Sequence, residues 1–144
     1  MTNNHFCIVF ILICIVLFVS FFDLLCTTFQ PNSHVGIHYI IDIDNIQGDI
    51  LYNNDKLIEI CDQCLDTSQV NILNKSSHSF SPQGLTLLYL LAESHFSLHS
   101  WPEEGKLRID FFSCTTRDKC DKGLEFLKKH FQNGETIHVD VLYR

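Results

Sequence analysis

Hydrophobic positions along this chain fall into two regimes. Residues 6–22 form 17 consecutive positions without a charge, ended by Asp23. From residue 35 the apolar positions instead recur at the periods of strands and helices. A β-branched apolar run predicts a first strand over 35–42, and the polar stretch 45–54 reads as a connection. Leu57, Ile60, Cys61, Cys64 and Leu65 repeat at helical spacing and predict a helix over 54–65. A short strand is expected over 70–73, closed by a polar turn at 74–79. The apolar run 85–91 reads as a central strand, buried on both faces or against the helices.

Downstream, Phe96 and Leu98 alternate with Ser97 and His99. Leu107, Ile109 and Phe111 alternate with Arg108 and Asp110, which makes a hairpin about residues 102–105. Leu124, Leu127 and Phe131 mark one face of a helix from residue 118, with Lys128, Lys129 and His130 suited to its end. Asn133-Gly134 is a stop, and Ile137, Val139 and Val141 alternate through a final strand. The expected class is α+β: a two-layer sandwich of one antiparallel sheet covered by two helices.

The apolar start adds a second segment to this picture. Residues 1–29 read as a hydrophobic leader or single membrane anchor, near the short limit for a spanning helix. No Lys or Arg precedes the run and no small-residue cleavage site follows it, which argues against a cleavable signal peptide. Residues 30–35, with Pro31, Asn32 and Ser33, read as a linker, leaving 36–144 as one domain. On this reading the domain is membrane-anchored and faces the cytoplasm; without the anchor it is cytoplasmic. The formal charge of −7 and the lack of a basic block argue against nucleic-acid binding. Seven cysteines, three of them in the leader, do not describe a disulfide scaffold. Cys61 and Cys64 read as buried, reduced thiols on a helix face, Asp42, Asp44 and Asp49 as solvated loop carboxylates, and no metal site is expected.

Candidate chemistry concentrates between residues 80 and 114. Ser94, His95 and His99 follow the apolar run 85–91, and Cys114 ends the next strand. A hydroxyl, two imidazoles, carboxylates and a thiol are the parts of an assisted nucleophile. No Gly-x-Ser-x-Gly elbow is present, so the pattern is not that of an α/β-hydrolase. By residue type alone, a sheet with a polar rim and an ordinary buried cysteine is the readier explanation of the stretch.

Phe80-Ser81-Pro82-Gln83-Gly84, Ala92-Glu93-Ser94-His95 and His99-Ser100-Trp101-Pro102-Glu103 resemble the processing signature of prokaryotic-type S-adenosylmethionine decarboxylase proenzymes. Ile109-Asp110-Phe111-Phe112-Ser113-Cys114 resembles the strand that carries that family's catalytic cysteine. The likeness runs over about residues 36–142 and is strongest over 80–114. It implies self-cleavage between Glu93 and Ser94. The Ser94 hydroxyl would attack the Glu93 carbonyl, and elimination with hydrolysis would turn Ser94 into a pyruvoyl cofactor heading the downstream chain. That ketone forms a Schiff base with a substrate amine and withdraws electrons as carbon dioxide leaves.

The same resemblance implies the remaining roles. His99 assists the processing elimination, and Cys114 protonates the decarboxylated carbon and helps processing. Thr86 stands where the family usually has a processing serine, and Glu103 and Phe80 belong to the substrate pocket. His95 either orients the cut site or makes a structural hydrogen bond. Leu87 and the pair Thr115-Thr116 replace glycines usual in the family. The expected partners are S-adenosylmethionine and a second copy of the chain, as a homodimer of processed protomers with active-site groups near their interface. The expected product is the aminopropyl donor for spermidine synthesis. Two alternatives are the same machinery acting on arginine or ornithine, and a non-catalytic, membrane-tethered regulatory relative.

Overall fold

A computed structural model describes residues 35–132 and 136–144 of the chain. The hydrophobic leader, most of the linker and Asn133-Gly134 lie outside these residues. Among the described residues, no helix is long and apolar enough to cross a membrane.

Period-two alternation builds most of the sheet. Strand β1 (Ile37–Asp44) buries Ile37, Tyr39, Ile41 and Ile43 and turns His38, Ile40, Asp42 and Asp44 to the other face. The same alternation runs through β3 (Leu85–Leu91), β4 (Ser94–Trp101) and β5 (Lys106–Ser113). With β2 (Ile72–Ser79) and β6 (Thr136–Tyr143) they form one antiparallel six-stranded sheet in the order β2-β3-β4-β5-β1-β6. Gly105, at φ +63, closes the β4–β5 connection after a 3-10 turn at Pro102–Glu104, a left-handed position that suits glycine.

Two helices cover one face. In α1 (Asn54–Thr67), Leu57, Ile60, Cys61, Cys64 and Leu65 face the sheet, and the Asn53 side chain caps the start by accepting from Lys56 N at 3.0 Å. In α2 (Arg117–His130), Cys120, Gly123, Leu124 and Leu127 are buried. The helices meet at Gly123, where an added Cβ would lie 2.0 Å from Ser68 Oγ and 3.1 Å from the Cys64 carbonyl oxygen. Gly123→Ala is therefore expected to destabilise the fold by a net 1–2 kcal/mol or so. Overpacking costs about 1–3 kcal/mol, offset by up to about 1 kcal/mol of helix propensity. Thermal denaturation measures this, and adding Ser68→Ala should recover part of the loss.

The structure corrects two expectations and decides a third between its two alternatives. Residues 74–79 are not a turn but most of β2, an edge strand exposed on both sides and held by pairing with β3. Asp42 and Asp44 are not loop carboxylates: both lie on β1 and pair with Arg108, at 3.3 Å to Nε and 2.9 Å to Nη2 respectively. Strand β3 is interior to the sheet but buried on one face only, with Leu88 and Leu90 exposed on the other. That second face, free of helices, also carries exposed Trp101 and Leu142.

Candidate active site

The β3–β4 hairpin turns on two residues, Ala92 and Glu93, with Leu91 and Ser94 paired across it. Ser94 is thus the first residue of β4. Register does the rest: His95 pairs with Phe112, so two steps further along both strands Cys114 comes beside Glu93. The Cys114 thiol donates to the Glu93 carbonyl oxygen at 2.9 Å. That carbonyl belongs to the peptide bond between Glu93 and Ser94, where a hydrogen bond polarises the carbon that the neighbouring hydroxyl would attack. The turn is anchored from the other side, because Ala92 N–H donates to the Asn71 carbonyl oxygen at 3.0 Å.

A cleft of about 190 Å³ opens here, with Gln69, Asn71, Glu93, Ser94, Cys114 and Thr115 on its walls and no Lys, Arg or His among its lining residues. The bend after β5 is tied by hydroxyls. Thr115 N–H donates to Ser113 Oγ at 3.2 Å, the two hydroxyls share a hydrogen bond at 2.9 Å, and Thr115 Oγ1 lies 3.4 Å from Cys120 Sγ. Thr115 therefore helps hold the bend that presents Cys114.

The other expected site residues gather elsewhere. Thr86 and His99 are cross-strand partners on the helix-free face, with Oγ1 and Nδ1 3.0 Å apart. They share a cavity of about 530 Å³ with Phe80, Gln83, Trp101 and Glu103. Gln83 Nε2 donates to Glu103 Oε2 at 3.3 Å. Gly84 makes the turn below, at φ +108, with its Cα facing the Ser100 carbonyl so closely that a Cβ would sit 3.2 Å away. Five residues of extended strand separate His99 from Ser94, about 17 Å, and the two side chains alternate onto opposite faces. A single chain brings Glu93, Ser94 and Cys114 together and leaves Thr86, His99, Phe80 and Glu103 at the far end of the hairpin. His95 points to the helix-free face, with its ring centroid 5.7 Å from that of Phe112 and 6.1 Å from that of His38.

Sequence reasoning missed Gln69 and Asn71. They sit between α1 and β2, carry no local motif, and reach the cleft only because β2 pairs with β3. Cys61 and Cys64 are buried free thiols. Burial pushes both thiols up, Cys64 to about 12, which makes them poor nucleophiles. Among the described residues, no group of three or more His, Cys, Asp or Glu is arranged to hold a metal ion.

Comparison with known proteins adds four findings. Residues 37–144 match the family described as S-adenosylmethionine decarboxylase. The chain is 32% identical over 109 residues to an S-adenosylmethionine decarboxylase proenzyme of Clostridium botulinum, covering 74% of this chain and 94% of that one. It is 28% identical over 110 residues to the proenzyme of that name from Thermococcus gammatolerans, covering 76% of each. In fold it is similar to the crystal structure of the adenosylmethionine decarboxylase from Aquifex aeolicus VF5. The TM-score is 0.71 at 22% identity, over 77% of this chain and 91% of that one.

Proposed function

The chain belongs to the S-adenosylmethionine decarboxylase family, and from that premise we propose how its own residues cut the chain and then carry out the decarboxylation. It is an S-adenosylmethionine decarboxylase, a carboxy-lyase made as a proenzyme. The observation that carries the processing reading is the 2.9 Å hydrogen bond from the Cys114 thiol to the carbonyl of the Glu93–Ser94 peptide bond.

Ser94 Oγ attacks the Glu93 carbonyl carbon, the C–N bond breaks and an ester forms, with Cys114 steadying the charge that gathers on the oxygen. Loss of the Ser94 Cα proton then breaks the Cβ–Oγ bond, and Glu93 leaves as a carboxylate. Tautomerisation and hydrolysis release ammonia and convert residue 94 to pyruvoyl. The position fits that group: it opens a strand after a turn, borders a cleft, and faces a thiol at its scissile carbonyl. Bound to a substrate amine, a pyruvoyl group supplies an electron sink for the bond that carbon dioxide leaves. Cys114 holds the proton that replaces carbon dioxide on the substrate's α carbon.

The second cavity suits the remainder of the substrate. Phe80 and Trp101 offer aromatic faces to a purine, and the exposed Glu103 carboxylate suits a cationic sulfonium. Thr86 and His99 form a hydrogen-bonded pair fit to move a proton during processing. Because these groups lie at the far end of the hairpin from Ser94, the complete site joins Ser94 and Cys114 of one chain to Thr86, His99, Phe80 and Glu103 of a second copy. The helix-free face supports that pairing. Exposed Leu88, Leu90, Trp101 and Leu142 make it an apolar sheet surface that a second layer would cover. The product then serves as aminopropyl donor for spermidine synthesis.

Intact-mass measurement of the purified protein, followed by a substrate panel, tests this reading. The expected result is two fragments meeting at 93/94, pyruvoyl at the head of the downstream one, and carbon dioxide release from S-adenosylmethionine but not from arginine or ornithine. A folded protein that stays uncut would refute the processing mechanism.

A further inference from the structure

Self-cleavage changes the group that Cys114 faces. In the uncut chain the thiol donates to a neutral carbonyl, Glu93 O, at 2.9 Å. When the Cβ–Oγ bond of the ester breaks, both oxygens stay on the Glu93 carbonyl carbon, and the upstream chain ends in an α-carboxylate at that position. This end has reason to stay in place. Ala92 N–H is tied to Asn71 O at 3.0 Å, and Leu91 remains paired with Ile72 of β2, neither of which uses the broken bond.

We propose that the α-carboxylate created on Glu93 is a working part of the mature site: it accepts the Cys114 hydrogen bond and keeps the proton on the thiol. The inference rests on the processing reading above. Its chemistry follows from charge. An anion beside a thiol disfavours the thiolate, and a proton donor to carbon must hold its proton when carbon dioxide leaves. No Lys, Arg or His lines the cleft to oppose this effect. Among its lining residues, Glu93 and Cys114 are the only ones with an ionisable side chain. The further thiol, Cys120, is reached only through the Thr115 hydroxyl. One scission thus yields both the electron sink and the setting that keeps the acid loaded. Glu93 acts through Cys114 and is a positioning residue.

The test is the rate of iodoacetamide alkylation at Cys114, read by peptide mass spectrometry, in the cut protein and in uncut Ser94→Ala. At pH 8 the cut protein should react about tenfold more slowly, the effect of roughly one unit of proton affinity. The ratio should shrink toward one as pH rises, because both thiols then ionise. A ratio that does not change with pH would mean steric shielding, and equal or faster alkylation of the cut protein would mean no charge effect; either overturns the proposal. In cut Glu93→Gln the slow rate should persist, since the main-chain carboxylate is untouched. A return to the Ser94→Ala rate would assign the effect to the Glu93 side chain and also overturn it. Failure of the wild-type chain to cut, seen by intact mass, overturns the processing reading and this inference with it. Cutting without slowed alkylation overturns this inference alone.

Discussion

Ser94→Ala is expected to leave a single uncut chain with no decarboxylation of S-adenosylmethionine above background. Alanine has no hydroxyl to attack the Glu93 carbonyl and no Cβ–O bond to eliminate, so neither the cut nor the electron sink is made. The loss should be complete rather than graded, because no other residue lies where it replaces both functions. The fold should survive. Ser94 is partly buried at the start of β4 and makes no side-chain hydrogen bond with the described residues. Electrophoresis, intact mass and a carbon dioxide release assay measure the outcome, and a thermal melt close to that of the wild-type chain separates lost chemistry from lost structure. A Ser94→Ala protein that still cuts at 93/94 would remove the basis of the mechanism.

Co-expression of Ser94→Ala with His99→Ala should restore activity that each variant lacks alone. In a mixed dimer, one site joins the intact Ser94 and Cys114 of one chain to the intact His99 of the other, and the second site carries both lesions. Random pairing of equal amounts makes about half the dimers mixed, so about one quarter of all sites recover. The physical reason is distance: His99 lies about 17 Å along β4 from Ser94 and faces the other side of the sheet. A site contained within one chain would show no recovery, because every Ser94→Ala chain lacks the nucleophile and every His99→Ala chain lacks its own imidazole. Differently tagged chains and tandem purification allow the mixed dimer to be assayed alone.

Much of this architecture was legible locally. The apolar spacing of Leu57, Ile60, Cys61, Cys64 and Leu65 marks α1 because one helical face must be buried. The alternation in residues 107–112 marks β5 because one face of that strand must be dry. Strand β2 was not legible. Asn74 to Ser79 has no apolar period and high turn propensity, and it is extended because β3 supplies its hydrogen bonds. Asp42 and Asp44 read as loop residues for a similar reason: their stabilising partner, Arg108, is 66 and 64 residues away in the chain.

The candidate site divides along the same line. By itself the order of residues determined which side chains are available for chemistry and which segments other than β2 form strands, since these depend on residue type and short-range spacing, while the expected cut came from the family resemblance. Only the folded sheet decided which of those groups meet. Antiparallel register carries Cys114 to the Glu93 carbonyl, and the pairing of β2 brings Asn71 to Ala92. The strict alternation of a strand sends Ser94 and His99 to opposite faces, although only five residues separate them, which is why the proposed site draws its remaining groups from a second copy.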